Sequence, residues 1–231
     1  MTKKTTTICC ALALLATTAA TPAFSQAKNF AGPSIAIGAG YSSYNPEGSL
    51  IEANGAGDGL QSTSKLETGK NDFKYLADLS YGFVANDNLV VSLGATYDFN
   101  DSEATFVSSN DAVNTVSIKG KLKDHYSLYI QPTYLLNNST GIFAKVSYNY
   151  AKNSITLAET NESVSFSENL EGWGYGVGAK TFLNNNLYLQ FEGSLVKYDK
   201  QSKSIAGELD TYTISAEPEV LSALISIGYK F

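Results

Sequence analysis

The feature that most constrains this chain is a two-residue repeat. In Asp72-Phe73-Lys74-Tyr75-Leu76-Ala77-Asp78-Leu79-Ser80-Tyr81-Gly82-Phe83 the odd positions are apolar or aromatic, and the even ones are mostly polar or small. Leu89-Val90-Val91-Ser92-Leu93-Gly94-Ala95-Thr96-Tyr97-Asp98-Phe99 behaves the same way. Side chains on a strand alternate faces, so each segment predicts a strand with one greasy face.

Short asparagine-rich turns punctuate these runs: Ala85-Asn86-Asp87-Asn88, Asn137-Asn138-Ser139-Thr140 and Asn184-Asn185-Asn186. Each joins two alternating segments and reads as a hairpin. Three such turns and four long polar connections predict eight strands, near 31–44, 71–84, 89–100, 123–136, 141–151, 170–183, 187–199 and 213–231. Long loops are expected near 45–70, 101–122, 152–169 and 200–212.

A soluble sandwich accounts for alternation alone. It does not account for where the aromatics fall. Tyr41, Phe73, Tyr75, Tyr97, Phe99, Tyr126, Tyr148, Tyr150, Trp173 and Tyr175 sit near the long-loop ends of the strands. Tyr81, Phe83, Tyr134, Tyr229 and Phe231 sit near the short-turn ends, with aliphatic residues such as Leu79, Val91, Leu93, Leu128, Ile130, Val177, Leu189 and Ile225 between the two sets. Two aromatic belts around an aliphatic band match two membrane interfaces. The opposite face carries Lys74, Asp78, Asp98, Gln131, Lys145, Asn149, Lys180, Gln190 and Glu192. A soluble core does not tolerate those charges, whereas the inside of a closed barrel does. Closure is required, because an open sheet edge in lipid leaves backbone groups unpaired. The expected fold is an eight-stranded antiparallel transmembrane up-and-down β-barrel.

The N-terminus fits an exported chain. Lys3 and Lys4 precede an apolar stretch from Ile8 to about Ala20, followed by small residues suited to a signal peptidase. A signal peptide is expected over 1–25, with cleavage as late as 27, and the barrel domain over 28–231. Cys9 and Cys10 both lie in that segment, so the mature chain is expected to lack disulfides and thiolate metal sites. Without Lys3 and Lys4 the 16 basic residues become 14 against 22 acidic ones, a net charge of −8, and every basic residue is a lysine. That balance argues against nucleic acid as a partner.

The chain ends Leu224-Ile225-Ser226-Ile227-Gly228-Tyr229-Lys230-Phe231. This apolar, alternating end reads as the closing strand, with Ile225, Ile227, Tyr229 and Phe231 toward lipid and Leu224, Ser226, Gly228 and Lys230 inward. Its backbone groups must pair with the first strand, Gly32 to Tyr44.

Several stretches carry a resemblance to the small outer-membrane β-barrel family of Gram-negative bacteria, the opacity-protein type. They are Ile35-Ala36-Ile37-Gly38-Ala39-Gly40-Tyr41, Tyr81-Gly82-Phe83-Val84-Ala85-Asn86-Asp87-Asn88-Leu89, His125-Tyr126-Ser127-Leu128-Tyr129, Gly172-Trp173-Gly174-Tyr175-Gly176-Val177-Gly178-Ala179-Lys180 and Tyr229-Lys230-Phe231. The resemblance covers most of the mature chain. It implies an outer-membrane location reached through the periplasm. It also implies that Ile225, Ile227, Tyr229 and Phe231 form the signal read by the barrel assembly machinery. The family's roles range over adhesion, serum resistance and envelope integrity.

Candidate chemistry is sparse. His125 is the sole histidine, and Ser127 shares its strand face. The pair resembles that of lipid A deacylases, but no orienting acid is evident and Tyr126, Leu128 and Ile130 take the lipid face. Lys180 and Glu192 flank one turn; pairing Leu183 with Leu187 sets Lys180 opposite Gln190 and diagonal to Glu192. With Asp78 and Lys145 they form a candidate lumen charge network, either a gate in a narrow conduit or a plug. Eight strands leave room for side chains but no wide pore, which favours the plug. The glycines near 172–178 follow strand alternation with no helix after them, so they pack the lumen and bind no dinucleotide. Glu47, Glu52, Asp58, Glu159 and Glu162 lack calcium-loop spacing. No catalytic, cofactor or metal residue is assigned. The expected partners are outer-membrane lipid and lipopolysaccharide, the assembly machinery and a host-surface ligand. The expected role is structural and surface-interacting. Host adhesion or immune evasion through the loops is the first alternative, and a lipid A-modifying enzyme or narrow channel comes after it.

The assembly reading generates a test. Phe231 is one of several rings in its belt, so its loss leaves a finished barrel stable. Deleting it lowers the amount inserted in cells and barely changes refolding into detergent micelles. Normal insertion in cells, or equal failure in micelles, overturns the reading.

Overall fold

The computed structural model describes residues 27–54, 62–66, 70–110, 114–158, 163–206 and 210–231. The expected signal segment and the tips of the predicted loops lie outside the described residues. A 3-10 turn, Ala27–Asn29, leads into eight long strands. In chain order these are β1 (Gly32–Asn54), β3 (Lys70–Asn86), β4 (Leu89–Asp98), β6 (Asn114–Leu135), β7 (Thr140–Ala158), β8 (Ser163–Phe182), β9 (Leu187–Tyr198) and β11 (Asp210–Lys230). Three short strands, β2 (Ser62–Leu66), β5 (Ser102–Asn110) and β10 (Gln201–Ala206), lie between them. Among the described residues no helix is long and apolar enough to cross a membrane; the strands do the crossing.

Sequential long strands pair antiparallel, and β11 returns to β1, closing an eight-stranded up-and-down barrel. The closing register runs from Ser34↔Lys230 through Ile37↔Ile227 to Tyr44↔Val220. It keeps the two-residue repeat in phase across the seam. Ile37 and Leu79 are 63% and 62% exposed, while their neighbours Ala36 and Ser80 on the other face are 4% and 7% exposed. The apolar side chains thus face outward and the polar ones inward, the reverse of a soluble sandwich. This is what lipid as solvent demands.

Each short turn is built by its first asparagine. The side-chain oxygen of Asn86 accepts from Asn88 N–H at 3.0 Å. Asn137 accepts from Ser139 and Thr140, and Asn184 from Asn186 and Leu187, all at 2.7–2.9 Å. A side-chain carbonyl that mimics the backbone supplies the turn acceptor, which is why asparagine recurs at these corners.

The predicted long loops need correction. β1 continues to Asn54, paired to Asp210 of β11, and it also pairs with β2 from Gly48↔Leu66. β10 adds to β11 over Gln201↔Ala216 to Ala206↔Thr211. On the other side β5, β6, β7 and β8 pair out to Asn110↔Asn114, Ser117↔Ala158 and Ala158↔Ser163. The described parts of 45–70, 101–122, 152–169 and 200–212 are therefore largely strand. Short alternations such as Val116/Ile118, Ile155/Leu157 and Val164/Phe166 run through these stretches, but the serine, threonine, asparagine and charged residues around them read as loop. A membrane strand needs about 9–11 residues. β4 and β9, with 10 and 12, stop near the outer belt. β1, β6 and β11, with 23, 22 and 21, carry on past it.

Pro46 of β1 lies opposite Pro218 of β11. Phe231 N–H donates to Pro33 O at 3.0 Å, so odd residues bond across this seam and even residues point their N–H groups away from it. Among the described residues no rung of β1 to β2 or β3 falls at Pro46, and none of β11 to β9 or β10 falls at Pro218. β1 is passing there from β3, whose last rung is Tyr44↔Lys70, to β2. β11 is passing from β10 to β9 at Glu219↔Lys197. Proline carries no N–H, which suits positions between one outer neighbour and the next.

Two close approaches constrain the inner wall. A side chain at Gly94 would meet the Tyr129 ring at 2.5 Å, and one at Gly228 would meet the Tyr188 ring at 2.2 Å. Small residues on one strand make room for large rings from another, which is how a small barrel fills its taper.

Leu93 lies on the outer face between buried Ser92 and half-buried Gly94. Leu93→Lys is expected to destabilise the barrel by about 2–4 kcal/mol, as charges do at the bilayer midplane. The measurement is the folded fraction in vesicles, read as the mobility difference between unboiled and boiled protein on a gel. An unaltered fraction would place Leu93 on the wrong face.

Candidate functional site

The interior is layered. At the short-turn end Ala27, Phe30, Val90 and Leu135 form an apolar cluster, with Val84 and Phe182 packed against it. The Phe30 and Phe182 rings meet edge-on with centroids 4.9 Å apart. The 3-10 turn brings Phe30 there. Asn29 donates to Asn138 O and Lys230 Nζ to Lys28 O, each at 2.9 Å, pinning the turn to opposite sides of the barrel end. Period-two alternation carries no sign of this, because Phe30 precedes the first alternating run.

Above this cluster the inward residues are polar. Lys145 Nζ donates to both Glu192 carboxylate oxygens at 3.1 and 3.0 Å, and Gln190 Nε2 donates to the same carboxylate at 3.3 Å. Tyr129 OH donates to Asp78 Oδ2 at 2.7 Å. Lys145 and Lys180 also lie over the Tyr129 and Tyr188 rings, 4.3 and 4.5 Å from the centroids. Lys180 stands opposite Gln190 and Gly178 opposite Glu192. Glu192 takes Lys145 as its partner, and Lys180 rests on an aromatic face. Asp78, Lys145, Lys180 and Glu192 are each no more than 9% exposed.

Next comes a second polar group. Asp98 Oδ2 accepts from Lys74 Nζ at 2.8 Å and contacts His125 Nδ1. This corrects the expectation that His125 lacks an orienting acid. Thr96 faces Ser127 and Tyr97 faces Tyr126, so the next rung brings Asp98 to His125. The clue was available, since the inward face already held Asp98, but it required the β4–β6 register. Ser127 bonds Thr96 at 2.6 Å and contributes nothing to His125. His125 Nε2, Asp98 Oδ1 and Tyr198 OH are buried without a protein partner. They border a cavity of about 10 Å³ also lined by Ser42, Lys74 and Leu122. A larger cavity, about 30 Å³, lies between Lys145, Glu192, Ser127 and Leu76. These are spaces for single water molecules.

Capping the stack at the outer end, Tyr44, Leu122, Ala151, Leu170, Val196, Tyr198 and Val220 form a second apolar cluster. Sequence reasoning missed it, because an inward apolar layer breaks the polar-inside rule that had identified the faces.

The four terminal positions Ile225, Ile227, Tyr229 and Phe231 all stand on the outer face, 42–67% exposed. Tyr229 and Phe231 rings pack edge-on at 5.1 Å. Around the outer rim, Tyr126 stacks on Tyr150 at 4.8 Å and Tyr148 meets Trp173 at 5.5 Å. Ion pairs stand just beyond: Lys121 with Asp101 at 3.1 Å and Lys152 with Asp124 at 2.9 Å.

Comparison with known proteins agrees with this architecture. The family model for the outer membrane protein beta-barrel domain matches residues 9–231. Outer membrane protein P1 of Coxiella burnetii (strain RSA 493 / Nine Mile phase I) is 22% identical over 187 residues, 79% of this chain and 73% of that protein. Among solved structures, OprG from Pseudomonas aeruginosa is similar at 18% identity and a TM-score of 0.55, over 87% of this chain and 96% of its own. Ail of Yersinia pestis, solved with the heparin analogue sucrose octasulfate, has 17% identity and a TM-score of 0.43, over 87% of this chain and 99% of its own. A closed eight-stranded barrel with an apolar outer band, matched by that family model over nearly its whole length, belongs to the outer membrane protein beta-barrel domain family and resides in the Gram-negative outer membrane.

Proposed function

We propose that this protein is a non-conducting, non-enzymatic barrel that anchors strand hairpins at the cell surface, with both termini in the periplasm. The observation that carries this reading is the packed interior. Among the described residues its cavities include ones of about 10 and 30 Å³, and apolar clusters lie at both ends. Ions crossing it would have to breach two dry layers and the Lys145–Glu192 pair between them. Asp78, Lys145, Lys180 and Glu192 act on this reading as a plug. Catalysis on lipid A is disfavoured by placement, because His125 and Ser127 are buried inside while Tyr126 and Leu128 meet the acyl chains.

The surface role falls to the extensions. Among the described pairings β2 joins only β1, β5 only β6 and β10 only β11. Each leaves one strand edge whose N–H and C=O groups are available to an extended partner segment. Host adhesion or immune evasion is the specific form this takes if the partner is a host protein. Lipid and lipopolysaccharide surround the barrel, and the assembly machinery engages Ile225, Ile227, Tyr229 and Phe231 during insertion.

Planar-bilayer recording tests the plug. The purified barrel is expected to show no stepwise conductance; reproducible single-channel steps would replace the plug with a conduit. A second expectation concerns its chemistry. Lys145→Met leaves Glu192 buried and uncompensated, and is expected to cost about 3–5 kcal/mol in urea unfolding. The pair Lys145→Met with Glu192→Met removes both charges and is expected to recover most of that loss. Equal losses in the single and double variants would show that the two charges do not act as a pair.

A further inference from the structure

Of the buried side chains among the described residues, Ala27 and Phe30 alone stand on no strand. Every other one is carried by a paired strand. The turn that carries these two is tied down lightly. Asn29 Nδ2 donates to Asn138 O and Lys230 Nζ to Lys28 O, and both bonds are exposed. Bonds of that kind add little net stability. The turn itself is closed by Phe30 N–H, which donates to Ala27 O at 3.1 Å. It joins β1 at Gly32, whose φ of 102° is a left-handed conformation that glycine adopts without strain. A lightly held end segment on such a joint is a hinged element.

The seat is shaped for this turn. Val90 and Leu135 form it, with Val84 and Phe182 packed against them. A side chain at Gly82 would collide with Phe30 O and come within 3.3 Å of Ala31 Cα, so the wall is bare where the backbone of the turn crosses it. The Phe182 ring meets Phe30 on one side and Tyr188 on the other, with centroids 4.9 and 5.3 Å apart. Lys180 lies over that same Tyr188 ring. Phe30 is therefore two rings away from the buried charges. Thr133, opposite Val90 and 2% exposed, stands behind it on the inner wall. The apolar cluster at the far end is built differently. Its members come from β1, β6, β7, β8, β9 and β11, and none stands off a strand.

One end of the interior is thus sealed by the walls and the other by a hinged turn. We propose that residues 27–31 form a cork that swings on Gly32, and that unseating it opens the layer of Asp78, Lys145, Lys180 and Glu192 to the periplasm while the outer cluster stays shut. The barrel is then a blind polar chamber with one mouth, which admits water and small solutes from that side. This deepens the plug described above and rests on the reading that both termini lie in the periplasm. The cork also separates the two processing sites. Cleavage after residue 27 would remove the acceptor of Phe30 N–H and one member of the apolar cluster, so the mature chain keeps Ala27.

The test uses the mature protein, purified from outer membranes and held in detergent micelles. Its cysteines, Cys9 and Cys10, leave with the signal segment, so Thr133→Cys places a single thiol behind the cork. The rate of its reaction with a small charged methanethiosulfonate is read by mass spectrometry. With the native cork the thiol is expected to react slowly. Adding Phe30→Ala is expected to speed the reaction on the order of a hundredfold, the change in an equilibrium that loss of a buried ring brings. Gly82→Ala unseats the cork without touching its ring and is expected to act in the same direction. Val196→Ala thins the outer cluster and is expected to leave the rate unchanged. Equal rates with native and altered corks, or equal acceleration by Val196→Ala, overturns the proposal. Mobility of unboiled protein shows that each variant is folded. In planar bilayers Phe30→Ala is expected to show no stepwise conductance, and steps from it would overturn the single mouth. Steps from the wild-type barrel would overturn the plug, and the thiol rates would still decide the cork. The intact mass of the mature chain is expected to include Ala27; a chain beginning at Lys28 overturns the cork. Orientation is read separately with Asn185→Cys, in the short turn after Phe182, and a bulky impermeant maleimide. Labelling only after the outer membrane is permeabilised supports the periplasmic side, and labelling on intact cells overturns it, whereas the rates in micelles do not depend on it.

Discussion

A strand in lipid has no water to complete its hydrogen bonds, and the rest of this structure follows from that. Every N–H and C=O in the hydrocarbon layer must find a neighbouring strand, so the sheet must close. Closure makes β1 and β11 partners although they lie at opposite ends of the chain, and it forces their registers to agree in phase. A slip of one residue at that seam would turn Ile225 and Ile227 inward against Ala36 and Gly38 and send Ser226 and Gly228 into the acyl chains. The terminal strand keeps its apolar alternation because both its neighbours and its solvent require it.

Closing the sheet creates an inside, and the inside has to be filled. Eight strands leave space for side chains, and the chain meets this with rings facing glycines, as Tyr129 does at Gly94 and Tyr188 at Gly228. The charged side chains are then held by one another or by aromatic faces: Glu192 by Lys145, Asp98 by Lys74 and His125, Lys180 by Tyr188. Buried charges without such partners would shift their protonation or unfold the wall that carries them.

What the sequence made legible was whatever depends on contrast between faces. The eight strands, the asparagine corners, the lipid side of Leu79 and Leu93 and the closing role of residues 224–231 all follow from period-two alternation against an apolar solvent. Three things were not legible. The strand extensions beyond the belt carry only short apolar alternations, such as Ile155/Leu157 and Val164/Phe166, amid polar residues that read as loop. The outer apolar cluster around Tyr44 and Leu122 contradicts the polar-inside pattern, although all its members but Leu122 lie in segments that read as strand. The Asp98–His125 contact depends on the register of two strands separated by 27 residues. The β6–β7 register slips by one residue at Asp124, with a similar cost: one added residue reverses the meaning of every odd number above it, and no composition rule announces where that happens.

The opposed prolines at positions 46 and 218 have a temporal meaning. Both terminal strands change outer neighbours around these prolines, and the β1–β11 ladder runs unbroken through them from Ser34↔Lys230 to Asn54↔Asp210. The wall of the barrel and its extension beyond the belt are therefore one ribbon, and half of it is the strand that closes the barrel. The extension takes its final shape only when the seam at its base has formed.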